Sequence, residues 1–180
     1  METPHQLESW RDLYVMLGTS SAALLGLLYV VTSLHLDEIV RNSVYRMRAR
    51  SNSLYLIVTL IEATLILTPL PLTALGLGLI AANLFGLVVN ARNTVRFFKN
   101  RAVSVRGGMA LYRAATFMLG FLGGIAGGAS LIAGSIVGLY LVTTSYVTLL
   151  VGVALNAWAI MLGVGQTEKP AKPSTRKNRA

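Results

Sequence analysis

Three long stretches of the chain carry almost no charge. They cover residues 13–34, 54–91 and 114–163, and Glu62 is the one charged residue in them. An α-helix rises about 1.5 Å per residue, so about 20 apolar residues cross a hydrocarbon core about 30 Å thick. The first stretch, of 22 residues, predicts one transmembrane helix. The other two, of 38 and 50 residues, are each long enough for two.

Prolines and hydroxyl residues divide the two longer stretches. Pro69 and Pro71 break the second stretch, because proline cannot continue a helix. The hydroxyl residues 143–145 (TTS) predict a turn in the third stretch. The pattern therefore predicts an all-α polytopic transmembrane helix bundle of five spans, although a four-span variant with a peripheral first span stays open. The predicted spans are residues 13–34, 54–70, 72–91, 114–141 and 144–163.

The basic residues orient these spans. Of the 16 Lys and Arg, all but Arg11 lie in the loop after the first span, the loop after the third, or the tail. The positive-inside rule predicts an extracytoplasmic N-terminal segment at residues 1–12 and a disordered, basic cytoplasmic tail at 164–180. The expected location is a multi-pass position in a cell membrane.

Composition narrows the function classes. The chain is 54% hydrophobic and 13% charged, whereas a soluble domain is about one quarter charged. Its net charge of +9 would favour nucleic acid in a soluble protein, but here the charge is explained by topology, so no nucleic-acid partner is expected. Cysteine is absent, which excludes thiolate metal sites and iron–sulfur clusters. His5 and His35 fall on opposite sides of the bilayer, and we expect no metal, no cofactor and no enzyme activity.

The second basic loop also has a helical pattern. Apolar residues recur every three or four positions with basic residues between them, which predicts an amphipathic helix on the inner face or an extension of the spans. Contact with anionic lipid head groups is the simpler expectation, and docking of an acidic partner is the alternative. The basic residues assigned to lipid or partner contact are Arg92, Arg96, Lys99 and Arg106.

Small residues recur one helical turn apart. In lipid, helices associate through close backbone approach, which small residues permit. We expect these positions to pack helices, either within one chain or in a homo-oligomer or partner complex, and the glycine content of the fourth span favours the latter. The helix-packing positions are Gly18, Ala22 and Gly26 in the first span, and Gly120, Gly124, Gly128, Gly134 and Gly138 in the fourth.

One carboxyl group lies deep inside a predicted span. Glu62 is about eight residues, or roughly 12 Å, from the proline turn. A charge at such a depth costs about 2.5 to 3.5 kcal/mol, so intramembrane carboxyls are protonated, partnered or hydrated. Asn83 on the next span falls at a similar depth, and Asn156 is a further candidate. These residues form either a proton or cation site or a set of hydrogen bonds between helices.

Residues 10–14 (WRDLY) and 18–34 (GTSSAALLGLLYVVTSL) resemble a set of small bacterial integral membrane proteins. In that set the first span is followed by a basic loop and by a span that ends in a proline-containing turn, here residues 68–71 (TPLP). Some members are described as modulators of a membrane-anchored AAA protease. The resemblance covers about the first 70 residues and implies residence in a bacterial inner membrane. It carries no catalytic residue.

Two functional hypotheses follow from these patterns. The first is a non-catalytic integral membrane protein that forms a homo-oligomer or partner complex through glycine-rich helix faces. The second is a small oligomeric ion channel or proton-coupled transporter that uses Glu62. Membrane lipids, including anionic head groups, are expected partners in both.

Overall fold

The computed structural model describes residues 3–99 and 107–167. These residues form six α-helices, and no strand occurs in the two ranges. Every helix except α2 is long and apolar enough to cross a membrane, which confirms the predicted all-α bundle with five spans. The helices are α1 (Thr3–Leu34), α2 (Leu36–Arg41), α3 (Ser43–Leu67), α4 (Leu72–Lys99), α5 (Gly107–Ile132) and α6 (Val137–Thr167).

The proline hairpin lies where the sequence predicts it. Helix α3 ends at Leu67 and α4 begins at Leu72, so Pro69 and Pro71 stand between them. At their other ends both helices extend beyond the apolar stretch, α3 back to Ser43 and α4 forward to Lys99. The polar flanks continue the helices because they contain no proline to end them.

The turn between the last two spans lies elsewhere than predicted. Helix α5 ends at Ile132, and Gly134 follows with a φ of +77°. The amide of Gly134 donates to Leu131 O at 3.0 Å and that of Ser135 to Ser130 O at 2.9 Å. These two bonds form a Schellman motif, in which glycine adopts the left-handed conformation that ends a helix. The predicted spans 114–141 and 144–163 are therefore wrong at this junction.

The hydroxyl residues expected to form that turn lie inside α6. Thr143 Oγ1 donates to Leu139 O at 2.8 Å, and Thr144 Oγ1 to Tyr140 O at 2.9 Å. Hydroxyls that bond the preceding turn are compatible with a helix, so they did not mark its end. Gly138 consequently belongs to α6 rather than to the helix of the GxxxG series.

The C-terminal boundary also differs. Helix α6 continues to Thr167, four residues past Gly163, because residues 164–167 contain no proline. The rest of the predicted tail, residues 168–180, lies outside the described ranges. So does Arg106, and the side chain of Lys99 is likewise not described.

Helix α1 is an integral part of the bundle. It packs against α3 and α6, while α5 packs between α4 and α6. Tyr14 is fully buried and shares a hydrogen bond of 2.8 Å with Thr143 Oγ1 on α6. Trp10 and Tyr140 meet edge to face with ring centroids 4.7 Å apart. The four-span variant with a peripheral first span is therefore wrong.

The connectivity brings the basic segments together. Arg48 from α3, Asn90 from α4, Arg113 from α5 and Asn156 from α6 line one cavity. The start of α3, the end of α4, the start of α5 and the C-terminal half of α6 thus share one end of the bundle, which we call the basic end. That this end faces the cytoplasm stays a prediction.

Candidate functional site

One face of α3 presents polar side chains to the bundle interior. Arg48, Asn52, Tyr55, Thr59 and Glu62 follow each other at spacings of three and four, which places them on one side of a helix. The last four are at most 3% exposed. At about 1.5 Å per residue this polar stripe runs roughly 21 Å from the basic end toward the proline turn. It makes α3 the least apolar span, with a mean hydropathy of 1.3.

Glu62 ends the polar stripe deep in the bundle. Its side chain is fully buried, and among the described residues neither carboxyl oxygen has a hydrogen-bond partner. Asn83 from α4, also fully buried, faces the carboxyl. Its Nδ2 donates to Leu79 O at 2.9 Å, and its Oδ1 finds no donor in the described ranges. The structure therefore brings together the two residues that the sequence places at one depth.

The polar atoms of this pair suit a protonated carboxyl. An ionised Glu62 would require donors, and the described neighbours supply none to either oxygen. A protonated Glu62 carries a hydroxyl, and Asn83 Oδ1 is an acceptor that lacks one. A buried charge without a partner is far more costly than a buried neutral acid. The Glu62 carboxyl can hold a proton. It can release that proton only when another group or a water accepts it and the carboxylate left behind is stabilised.

Three hydroxyl groups lie beside this pair. Ser21 Oγ shares a hydrogen bond of 2.8 Å with the Tyr146 hydroxyl and one of 3.1 Å with Thr59 Oγ1. This hydroxyl cluster joins α1, α3 and α6. Tyr146 and Tyr14 both lie near Glu62. The polar surroundings of Glu62 thus come from four helices.

Sequence reasoning missed Ser21 and Tyr146 as neighbours of Glu62. Ser21 stands in a run of small residues, and a turn at residues 143–145 would put Tyr146 at the start of a span, near the membrane surface. With the turn at its actual position, Tyr146 lies nine residues inside α6. Counting from that turn would have brought it to the depth of Glu62.

Asn156 belongs to a separate polar contact. Its Nδ2 donates to Asn52 Oδ1 at 2.5 Å, joining α6 to α3. Asn52 precedes Glu62 by ten residues, which is about 15 Å along α3. Buried apolar side chains, among them Phe121 and Leu149, occupy the core between the two levels. Asn156 therefore bridges helices near the basic end and does not contribute to the Glu62 site.

The glycines of α5 fit the helices on either side of it. A Cβ atom added at Gly120 would lie 2.7 Å from Leu149 Cδ2 on α6, and one at Gly128 would lie 2.8 Å from Gly76 O on α4. Both distances are shorter than real contacts, so the backbones approach only because the side chains are missing. Helices α4 and α6 of the same chain therefore account for the glycine content of α5, from which a homo-oligomer or partner complex was expected.

The small residues of α1 divide into a covered and an open part. A Cβ added at Gly18 would lie 3.1 Å from Ala63 Cβ on α3, whereas one at Gly26 meets nothing within 4 Å. Ala22 and Gly26 are exposed on the surface of the chain. Among the predicted helix-packing positions that lie within the described spans, Ala22 and Gly26 are the two that no other helix of the chain covers.

The described basic residues of α4 face outward. Arg92 and Arg96 are both exposed on its C-terminal turns, where the sequence predicts contact with lipid head groups or a partner. Across residues 3–99 and 107–167, no three His, Cys, Asp or Glu side chains come together in a way that could hold a metal ion.

Comparisons with known proteins add no identity. No family model, no curated protein and no solved structure matches the chain. The resemblance of the first 70 residues to small bacterial membrane proteins stays a prediction.

Proposed function

We propose that the protein is a small proton-coupled transporter or channel in which Glu62 takes up and releases the proton. The observation that carries the proposal is a fully buried carboxyl whose two oxygens lack hydrogen-bond partners among the described residues. Ionisable groups at such a depth are a functional hypothesis by default, because they destabilise an inserted helix.

A purely structural role for Glu62 agrees less well with this geometry. A carboxyl that ties helices together would do so by hydrogen bonds, as Asn156 does with Asn52 at 2.5 Å. The Glu62 oxygens make no such bond to described residues. Because Glu62 gains no such hydrogen bond, its burial favours a role in which the carboxyl changes its protonation state.

The surroundings favour a proton over a metal cation. Glu62 has no exposed surface, and a hydrated cation requires several oxygen ligands. A proton needs only a chain of hydroxyls or transient waters. Ser21, Thr59 and Tyr146 already form such a chain beside Glu62, with hydrogen bonds of 2.8 and 3.1 Å.

The test is proton flux in vesicles that contain the purified protein, under an imposed pH gradient and membrane potential. Glu62→Gln keeps the shape but cannot release a proton, so we expect it to abolish the flux. Asp12→Asn, which removes an exposed carboxyl near the N-terminal end of α1, is the matched control and should behave as wild type. A wild-type flux from Glu62→Gln, or no flux from the wild type under any gradient, would eliminate the proposal.

A second candidate is a non-catalytic complex with another copy or another membrane protein. The open surface of α1 favours it, because Ala22 and Gly26 are exposed and nothing lies within 4 Å of a Cβ at Gly26. Gly26→Leu should reduce the mass of the complex in mild detergent and leave the fold intact. An unchanged mass for Gly26→Leu, or a wild-type monomer, would contradict this candidate.

Orientation completes the proposal. In the described ranges, every Lys and Arg except Arg11 belongs to α2, the start of α3, the end of α4 or the start of α5, and cationic segments are retained on the cytoplasmic side. We therefore propose that the basic end lies on the cytoplasmic side of a bacterial inner membrane, where the exposed Arg92 and Arg96 contact anionic head groups.

A further inference from the structure

A cavity of about 60 Å³ lies at the basic end between α3, α4, α5 and α6. It is separate from the Glu62 site, since Tyr55, the α3 residue of its wall nearest to Glu62, precedes Glu62 by seven residues, or about 10 Å along α3. Eight of its eleven lining residues have polar side chains, and two of these are arginines from different helices. Its lining residues include Arg48 and Ser51 of α3, Asn93 of α4 and Arg113 of α5.

The two arginines converge on this cavity. Arg48 begins the polar stripe of α3, and Arg113 stands near the start of α5; both are half-buried. Their positive charges are close enough to repel each other. Repulsion between like charges is stronger where water is partly excluded. An anion between the two guanidinium groups would convert this repulsion into attraction.

One N–H group of Arg113 has no hydrogen-bond acceptor among the described residues. Its Nε is shielded from solvent, and the described residues offer it no partner. A buried donor without an acceptor is destabilising, and charged donors more so. Arginine presents several N–H groups in a planar fork that matches the oxygens of a phosphate or carboxylate. The cavity therefore lacks an acceptor where an oxyanion would provide one.

Hydrogen bonds within the chain hold part of the cavity wall. Asn93 Nδ2 donates to Ser51 Oγ at 2.8 Å, and Ser51 Oγ donates to Met47 O at 2.8 Å. The cavity is therefore formed by the fold and does not depend on a ligand to assemble it. One water needs about 10 to 15 Å³ of cavity volume. A cavity of about 60 Å³ therefore has room for several waters. A phosphate group, with five heavy atoms, has a similar size.

We propose that this cavity binds a phosphate group, with Arg48 and Arg113 as its cationic ligands. Arg113 stands two residues after Leu111, where the apolar span of α5 begins. The cavity thus lies at the level at which lipid phosphates meet water. The phosphate of an anionic phospholipid and a phosphate dissolved in the aqueous phase can both reach this level, and both present the same oxygens to the arginines.

Native mass spectrometry of the full-length protein in neutral detergent tests this proposal. In one arm the micelles contain phosphatidylglycerol, and in the other the buffer contains inorganic phosphate. The wild type should retain one phosphate-bearing molecule per chain. Arg113→Gln and Arg48→Gln should each weaken retention roughly tenfold to hundredfold, as expected for a lost charge-assisted contact. Arg50→Gln, which removes an exposed arginine of the same helix, should retain it like the wild type.

The two arms distinguish the source of the phosphate. Retention of phosphatidylglycerol alone assigns the site to a lipid head group, and retention of both probes assigns it to phosphate as such. Equal retention by the wild type and Arg113→Gln overturns the proposal, and so does a wild type that retains neither probe. If Arg113→Gln does not fold, the wild type decides the question by its melting temperature. Binding raises it when phosphatidylglycerol is added to the micelles or when phosphate replaces chloride at equal ionic strength, and a value that neither probe changes overturns the proposal.

Discussion

Gly124 of α5 lies directly against the side chain of Asn83 on α4. A Cβ atom added at Gly124 would overlap Oδ1, Cγ and Nδ2 of that amide. Asn83 in turn faces Glu62 on α3. The missing side chain on α5 therefore leaves the room in which the amide stands beside the carboxyl.

This relationship predicts that Gly124→Ala destabilises the protein although alanine is the better helix former. The methyl group must displace the amide of Asn83, and overpacking of a filled core costs about 1 to 3 kcal/mol. The measurement is the free energy of unfolding in mixed micelles. Gly26→Ala is the matched control, because nothing lies within 4 Å of the added atom and glycine is about 1 kcal/mol worse than alanine in a helix. Equal stability changes for the two variants would contradict the packing.

The hydroxyl cluster predicts coupling between Ser21 and Tyr146. Their hydroxyls are 2.8 Å apart, so Ser21→Ala and Tyr146→Phe remove the same hydrogen bond. A double-mutant cycle should give a coupling free energy of about 0.6 kcal/mol, with about 1.7 kcal/mol as the upper range for membrane proteins. Replacing Ser21→Ala by Thr19→Ala in the cycle should give additivity, because the Thr19 hydroxyl donates to Val15 O in its own helix. Additivity in both cycles would contradict the cluster.

The turn between α5 and α6 predicts a specific order of stability at position 134. Gly134 has a φ of +77°, where a side chain with Cβ costs about 1 to 2 kcal/mol. Gly134→Ala should lower the free energy of unfolding by about that amount, and Gly134→Asn should lower it less because asparagine tolerates this conformation. Thermal unfolding in detergent measures both. If Gly134→Ala is as stable as the wild type, the helix does not end there.

The positions of the helix ends predict which residues are accessible from each side of the membrane. Ser135 in the α5–α6 turn and Arg50 near the start of α3 are both exposed and stand at opposite ends of the bundle. The chain has no cysteine, so Ser135→Cys and Arg50→Cys each introduce a single thiol. In intact cells a membrane-impermeant maleimide should label Ser135→Cys, and Arg50→Cys only after permeabilisation. Labelling of both in intact cells would contradict the topology.

The number of spans could be predicted from the sequence, and so could the proline hairpin, because both depend on hydropathy and on a residue that cannot continue a helix. The α5–α6 turn could not. Gly134 lies among glycines that pack helices, and the same lack of a Cβ atom serves close packing at Gly128 and chain reversal at Gly134. Nothing in the local pattern distinguishes the two uses.

The candidate site was predictable to the same extent. Glu62 and Asn83 lie at similar distances from one proline turn, so counting residues places them at one depth. Counting does not give the rotation of each helix about its axis. The approach of Arg48 to Arg113, from helices that are separated by α4 in the chain, depends on that rotation and is visible only in the folded bundle.

The polar stripe of α3 also bears on how the protein enters the membrane. Helix α3 is synthesised before α4 and α6, and Asn156, the partner of Asn52, follows it by 104 residues. The nascent segment therefore reaches the translocon with the Asn52 amide and the Glu62 carboxyl unmatched, and as the least apolar of the spans. Unmatched polar groups make its transfer into lipid unfavourable. We therefore expect α3 to remain at the translocon until the later helices are synthesised.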